Sequence, residues 1–166
     1  MPATLYGVPM HIDRRGADDP DVRRLVGAAL AELRVRYPGD DDLDADPIAA
    51  TSDHFVAFVD EKAAGCVILV SVGPDLGEVK RLFVGSDFRG RGLARNLMAA
   101  VEKRARELEM STIRLETGTR QPEAISLYEA LGYEPTPGFG RYRDSPLSRC
   151  FAKTLDSTGG ALGSGG

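Results

Sequence analysis

Apolar and polar positions along this chain follow two rhythms, and each rhythm predicts an element. Asp18, Asp19 and Pro20 announce a helix start, after which Val22, Leu25, Val26, Ala29 and Leu33 recur at helical spacing and give one apolar face. Tyr37-Pro38-Gly39 ends it. A second helix over 92–108 carries Leu93, Leu97, Val101, Ala105 and Leu108 as its buried stripe. A third, over 121–131, has Pro122 in its first turn and Gly132 to cap it. Strands are expected at 4–13, 54–59, 65–72, 78–84, 111–117 and 149–154, with a further start at Tyr133-Glu134. The runs 54–59 and 65–72, joined by residues 60–64, form a hairpin signal. Residues 39–53 are a loop with a short helix near Pro47 to Ala50. The order strand, helix, antiparallel strands, then β-α-β-α-β is that of a mixed α/β sandwich rather than a doubly wound sheet.

Composition narrows this picture. A chain of 166 residues with 42 % apolar residues can build one domain around a core. No apolar run reaches the roughly 18 residues of a membrane span, and the first residues lack a signal-peptide pattern, so a cytoplasmic location is expected with no membrane partner. A net charge of −4 argues against a general nucleic-acid binder. Cys66 and Cys150 sit in apolar runs and read as buried free thiols. No metal is expected: there is no C-x-x-C, and His11 and His54 lack partners at ligand spacing.

The richest chemistry lies at Glu78-Val-Lys-Arg-Leu-Phe-Val-Gly-Ser-Asp-Phe-Arg-Gly-Arg-Gly-Leu-Ala94. A strand runs into a glycine-rich turn at the mouth of a helix. Glycines there let backbone N–H groups approach an anion, and the helix N-terminus adds its positive dipole end. Three phosphate motifs compete for this turn. A Walker loop needs Gly-Lys-Ser/Thr, which is missing. A dinucleotide fingerprint needs a third glycine where Arg95 stands, although Glu116 at the next strand end leaves that option open. The pattern Arg/Gln-x-x-Gly-x-Gly/Ala is met in full by Arg89, Gly92 and Ala94.

That motif, in that setting, resembles the acetyl-coenzyme A signature of the GCN5-related N-acetyltransferase (GNAT) superfamily. A second segment, Gln121-Pro-Glu-Ala-Ile-Ser-Leu-Tyr-Glu-Ala-Leu-Gly-Tyr133, is similar to the family's N-x-x-A-x-x-x-Y-x-x-x-G-F/Y stretch, with Gln121 in place of Asn and Tyr133 in the Phe position. The resemblance covers residues 54–155 well and the first 50 by element order. It implies one GNAT-like domain over 1–155, while the Gly/Ser-rich composition of 156–166 predicts a disordered tail. It implies a mostly antiparallel sheet flanked by helices, with a splayed strand pair that holds the cofactor, and a sheet edge through which a homodimer can form.

The resemblance further implies acetyl-CoA as cofactor and a small-molecule amine as acceptor. The pyrophosphate would lie on the amides of Gly90, Arg91, Gly92, Leu93 and Ala94, with Arg89 and Arg91 adding charge. Pantetheine would run along Leu82, Phe83 and Val84, and Gln121 would stand where the family's Asn tethers the cofactor side. Acetyl transfer must remove a proton from an ammonium of pKa about 10 and supply one to a thiolate of pKa about 8.5. Glu78, eleven residues before Arg89, is the base candidate, with a solvated strand-edge glutamate as the competing reading. Tyr128 is the acid candidate and also a cofactor contact, with an amphipathic core tyrosine as its rival. Glu116 is a second carboxylate, which if buried needs a partner such as Lys80 or Arg114.

Two segments read as substrate walls. The acidic run over 40–46 would draw a cationic amine. The loop over 137–148, with Phe139, Arg141, Tyr142 and Arg143, would grip a carboxylate or an aromatic ring. The expected activity is N-acetylation of a small molecule's primary amine by direct attack in a ternary complex. The rivals are a protein or peptide acetyltransferase and a non-catalytic coenzyme A-binding sensor.

Overall fold

A computed structural model of the chain describes residues 4–5, 7–40, 48–140 and 142–156. The acidic run beyond Asp40, Arg141 and the Gly/Ser tail beyond Asp156 lie outside the described residues. Among the described residues three helices, α1 (Pro20–Arg36), α2 (Leu93–Glu107) and α3 (Pro122–Ala130), accompany eight strands. The strands are β1 (Thr4–Leu5), β2 (Val8–Arg15), β3 (Asp53–Val59), β4 (Lys62–Ser71), β5 (Leu76–Val84), β6 (Thr112–Gly118), β7 (Glu134–Pro135) and β8 (Ser148–Thr154). Their order is β1-β2-β3-β4-β5-β6-β8-β7. The β5–β6 pair is parallel, whereas β1–β2, β2–β3, β3–β4, β6–β8 and β7–β8 are antiparallel. This is the expected mixed, mostly antiparallel sheet with helices.

The chain divides into two units, residues 1–70 with 80–101 and residues 71–79 with 102–166, so that β5 and α2 contribute to both. In the first unit, α1 packs on β3. Its core cluster is Val22, Leu25, Val56, Phe58 and Cys66, with Val26, Ala63 and Phe83 against it. Asp19 caps α1 by accepting from the amides of Asp21 and Val22, at 2.8 and 3.3 Å. Burial pushes the Asp19 carboxyl up, but hydrogen bonds from Arg15 and from those two amides outweigh it and leave it below the usual range. Gly65 of β4 lies so close to β5 that a Cβ there would sit 2.7 Å from the Phe83 carbonyl oxygen, which excludes any larger residue. Cys66 and Cys150 are buried free thiols, as the apolar pattern predicts. Burial pushes the Cys66 thiol up to about 12.

In the second unit, the first half of β5 pairs with β6 from Leu76↔Thr112 to Val79↔Leu115, and β6 pairs with β8 along its whole length. Burial alternates strictly along β6, with Ile113, Leu115 and Thr117 buried on one face. Glu102 of α2 gathers three partners there. It accepts from Tyr133 Oη at 3.1 Å and from Lys153 Nζ at 2.9 Å, with Arg106 Nη2 at 3.8 Å. A carboxylate this buried requires such company.

Four details differ from the pattern-based expectation. The first extended run is two strands, broken where Gly7 takes a φ of +81°. The β3–β4 connection is the two-residue turn Asp60-Glu61, both residues left-handed, rather than residues 60–64. Leu108 lies beyond the last turn of α2 and is 38 % exposed, while Met98, outside the predicted stripe, is fully buried. Ile48 to Ala50 form no helix.

Candidate active site

The glycine-rich turn follows the second half of β5 in the first unit. Arg81 is left-handed at φ +58° inside that strand, a conformation a non-glycine residue adopts only under constraint. Its carbonyl accepts from Cys66 Sγ at 3.4 Å. Leu82, Phe83 and Val84 follow, all half-buried. After a single 3-10 turn, Ser86–Phe88, the chain reaches Gly90 at φ +76° and Gly92 at φ +82°. No heavy atom lies within 4 Å of a Cβ built at either glycine, so the space on the side-chain side of both is open. The first bond of α2 runs from Asn96 N to Gly92 O at 3.1 Å, which leaves the amides of Leu93, Ala94 and Arg95 ahead of the helical ladder. Leu93 is buried as the anchor of this end, while Gly90, Arg91 and Gly92 are exposed. Open glycines and unladdered amides at the end of a 15-residue helix fit an oxyanion ligand such as a pyrophosphate.

The two arginines of the turn differ. Arg89 is spent on structure: its Nε donates to the Val84 carbonyl at 2.9 Å and its Nη2 to Glu32 Oε2 of α1 at 2.7 Å. Arg36 holds the other oxygen of Glu32 at 3.1 Å. Arg91 is exposed, its guanidinium 6.0 Å from the Phe88 ring centre. Arg89 therefore ties the turn to Val84 and to Glu32 of α1, whereas Arg91 lies at the surface.

The other sequence-predicted residues belong to the second unit and fall on two faces. Glu78 is 8 % exposed and sits directly opposite Arg114 in the parallel ladder. Arg114 Nε donates to Glu78 Oε1 at 2.8 Å, and its guanidinium carbon lies 4.1 Å from the Phe139 ring centre. Glu116 shares that face two residues on and is paired with Cys150 of β8. Burial first, then the carboxylates of Glu116 and Glu78, raise the Cys150 thiol, against the Phe139 backbone and Arg114. Glu78 is thus neither a solvated edge residue nor alone, and the Arg114 proposed as a partner for Glu116 goes to Glu78 instead.

Tyr128 of α3 lies on the opposite face, against Tyr133 at 6.0 Å and Phe151 at 6.3 Å between ring centres. Burial pushes its phenol well above the usual tyrosine range. Nothing among the described residues bonds its hydroxyl, so the proton on Oη is uncommitted there. Gln121 begins α3, and its Oε1 accepts from the Gly118 amide at 3.2 Å, closing the β6–α3 turn. Tyr142 is half-buried and Arg143 is exposed, with Asp144 at 3.9 Å. Gly138 packs on the backbone of Arg143, so the loop that carries Phe139 folds back on itself.

Sequence reasoning missed two residues, Arg114 as the partner of Glu78 and Glu32 as the anchor of Arg89. Their separations of 36 and 57 positions leave no local signal.

Residues 22–133 match the acetyltransferase (GNAT) family. The chain is 35 % identical over 123 residues to an IAA acetyltransferase of Azospirillum brasilense, covering 72 % of this chain and 80 % of that protein. A solved structure from Klebsiella pneumoniae, described as an acyl-CoA N-acyltransferase, superposes with a TM-score of 0.77 at 30 % identity, over 89 % of this chain and 98 % of its own. A GNAT family acetyltransferase from Elizabethkingia anophelis with acetyl-CoA bound shares the fold, with a TM-score of 0.68 at 17 % identity over 88 % of this chain and 98 % of its own.

Proposed function

The chain belongs to the acetyltransferase (GNAT) family and uses acetyl-CoA, and on that footing we propose that it acetylates the primary amine of a small molecule by direct attack in a ternary complex. When bound, acetyl-CoA supplies an activated acetyl group as a thioester. The open turn at Gly90 and Gly92, with the amides of Leu93 and Ala94, holds the pyrophosphate. Glu78 accepts a proton from the acceptor's ammonium on Oε1 or Oε2. Tyr128 is the proton donor for the departing thiolate. Its raised pKa keeps Oη protonated across the working pH range, which suits a donor.

The observation that carries the small-molecule reading is the face around Glu78. Glu78 is buried, 8 % exposed, and the guanidinium that holds it lies over the Phe139 ring at 4.1 Å. A lone amine can reach such a group, whereas an extended peptide needs an open groove. The name of the Azospirillum relative also points to a small acceptor.

The test is release of free coenzyme A from acetyl-CoA across a panel of small primary amines and a lysine-containing peptide. Turnover with small amines and none with the peptide is expected. Turnover with the peptide alone would overturn the reading, and silence across the whole panel would favour a coenzyme A-binding sensor.

A further inference from the structure

Arg114 has capacity beyond holding Glu78. Only its Nε is committed, to Glu78 Oε1 at 2.8 Å. Among the described residues no acceptor takes Nη1 or Nη2. The guanidinium carbon lies over the Phe139 ring, 4.1 Å from its centre, and the Arg114 side chain keeps 28 % of its surface exposed. The two terminal nitrogens of a guanidinium form a fork that matches a carboxylate in bidentate geometry. The contact with the Phe139 ring and the bond from Nε to Glu78 hold the guanidinium in place in advance, so less freedom is lost on binding.

Glu78 and Arg114 are in contact, so an acceptor that meets both must present a cation and an anion within a few bonds of each other. We propose that the acceptor is a free α-amino acid, its carboxylate on Nη1 and Nη2 of Arg114 and its ammonium on Glu78. This rests on the small-amine reading above and names the substrate class for the same site. An amine without a carboxylate leaves the fork unfilled. An ω-amino acid must give up chain freedom to bring its two charges onto a contact pair. Glu116, on the same face, adds negative charge that favours the ammonium end.

The experiment compares α-amino acids with their own decarboxylated amines, for instance phenylalanine with phenethylamine and methionine with 3-methylthiopropylamine. Coenzyme A release gives kcat/KM for each pair. A charge-assisted bidentate contact predicts a preference for the amino acid of about 10-fold or more. In Arg114→Met that ratio falls to about 1, and Arg114→Lys restores part of it, because an ammonium keeps the charge but not the fork. A loss of kcat shared equally by both members of a pair, with the ratio unchanged, would mean that Arg114 only positions Glu78. That outcome overturns the proposal, as does a wild-type protein that treats the two members alike.

Thermal shift of the wild-type protein with the amino acid or its amine gives a second readout that does not depend on turnover or on the folding of a variant. Stabilisation by the amino acid alone supports the proposal, and equal shifts or none overturn it. If no acceptor releases coenzyme A yet the amino acid still stabilises the protein, the acetyl-transfer reading fails while the binding inference stands.

Discussion

The turn before α2 and the polar face of β5, β6 and β8 are made of opposite materials. The turn is mostly backbone: two left-handed glycines and a helix end, with the Arg89 side chain facing back toward Glu32. The polar face is side chain throughout, with Glu78, Arg114 and Glu116 brought together by strand register and Phe139 added from the loop before β8. A ligand shared by every member of a family can be held by main-chain groups that few substitutions alter. A ligand that differs between members calls for side chains, which change one at a time.

The comparison breaks most visibly at the carboxylate. Glu78→Gln should lower kcat by about 10²–10³ with KM for acetyl-CoA nearly unchanged, as for the loss of a positioned base. Steady-state kinetics against both substrates checks this, and a kcat within a few-fold of wild type would return proton removal to water. Gly92→Val should do the reverse. A β-branched residue is strained at φ +82°, so the turn should distort and KM for acetyl-CoA rise about 10-fold or more, by analogy with other strained turn sites. A matching rise in KM for the acceptor would erase the division between the two regions.

Tyr128→Phe should cost about 10-fold in kcat, below the usual range for a proton donor because a thiolate leaves readily without one. The sign of its pH dependence follows from burial. Because its pKa is raised, the wild-type phenol stays protonated to at least about pH 10, and only above its raised pKa would activity fall through Tyr128. The pH–rate profiles of variant and wild type should therefore share one shape below that point, and an alkaline limb near neutrality that disappears in the variant would refute this assignment. The smallest effect is expected from Glu32→Gln. Its partner Arg89 is part-exposed, so stability should hardly change. KM for acetyl-CoA should rise about 2- to 5-fold as the turn loses its anchor, in keeping with a pair worth under about 1 kcal/mol. Isothermal titration with coenzyme A measures it directly.

These two regions were also unequally legible in the chain. The Gly-x-Gly turn announces itself, because glycine spacing, a preceding strand and a following helical stripe all fall within 30 residues of sequence. The helices were legible for the same reason, down to the cap at Asp19. Glu78 and Tyr128 were legible as residues, but not as neighbours of particular groups. That Glu78 meets Arg114, and that Tyr128 lies on the other face, depends on the parity of β5, β6 and β8, which a one-residue slip would invert. The missed break at Gly7, the exposed Leu108 and the tight hairpin have a common cause. Each is set by single left-handed residues, Gly7, Glu109 and the pair Asp60-Glu61, and only one of these four is the glycine that would have signalled it.

That hairpin has a practical value for everything proposed above. Asp60 and Glu61 hold φ values of 49° and 66°, the backbone that Asn-Gly adopts with least strain. Asp60→Asn with Glu61→Gly should therefore raise Tm by a few degrees. Neither residue belongs to the turn or to the polar face. The double substitution would give a tolerant background, in which variants of Glu78 or Arg114 too fragile to purify on their own could be made and measured.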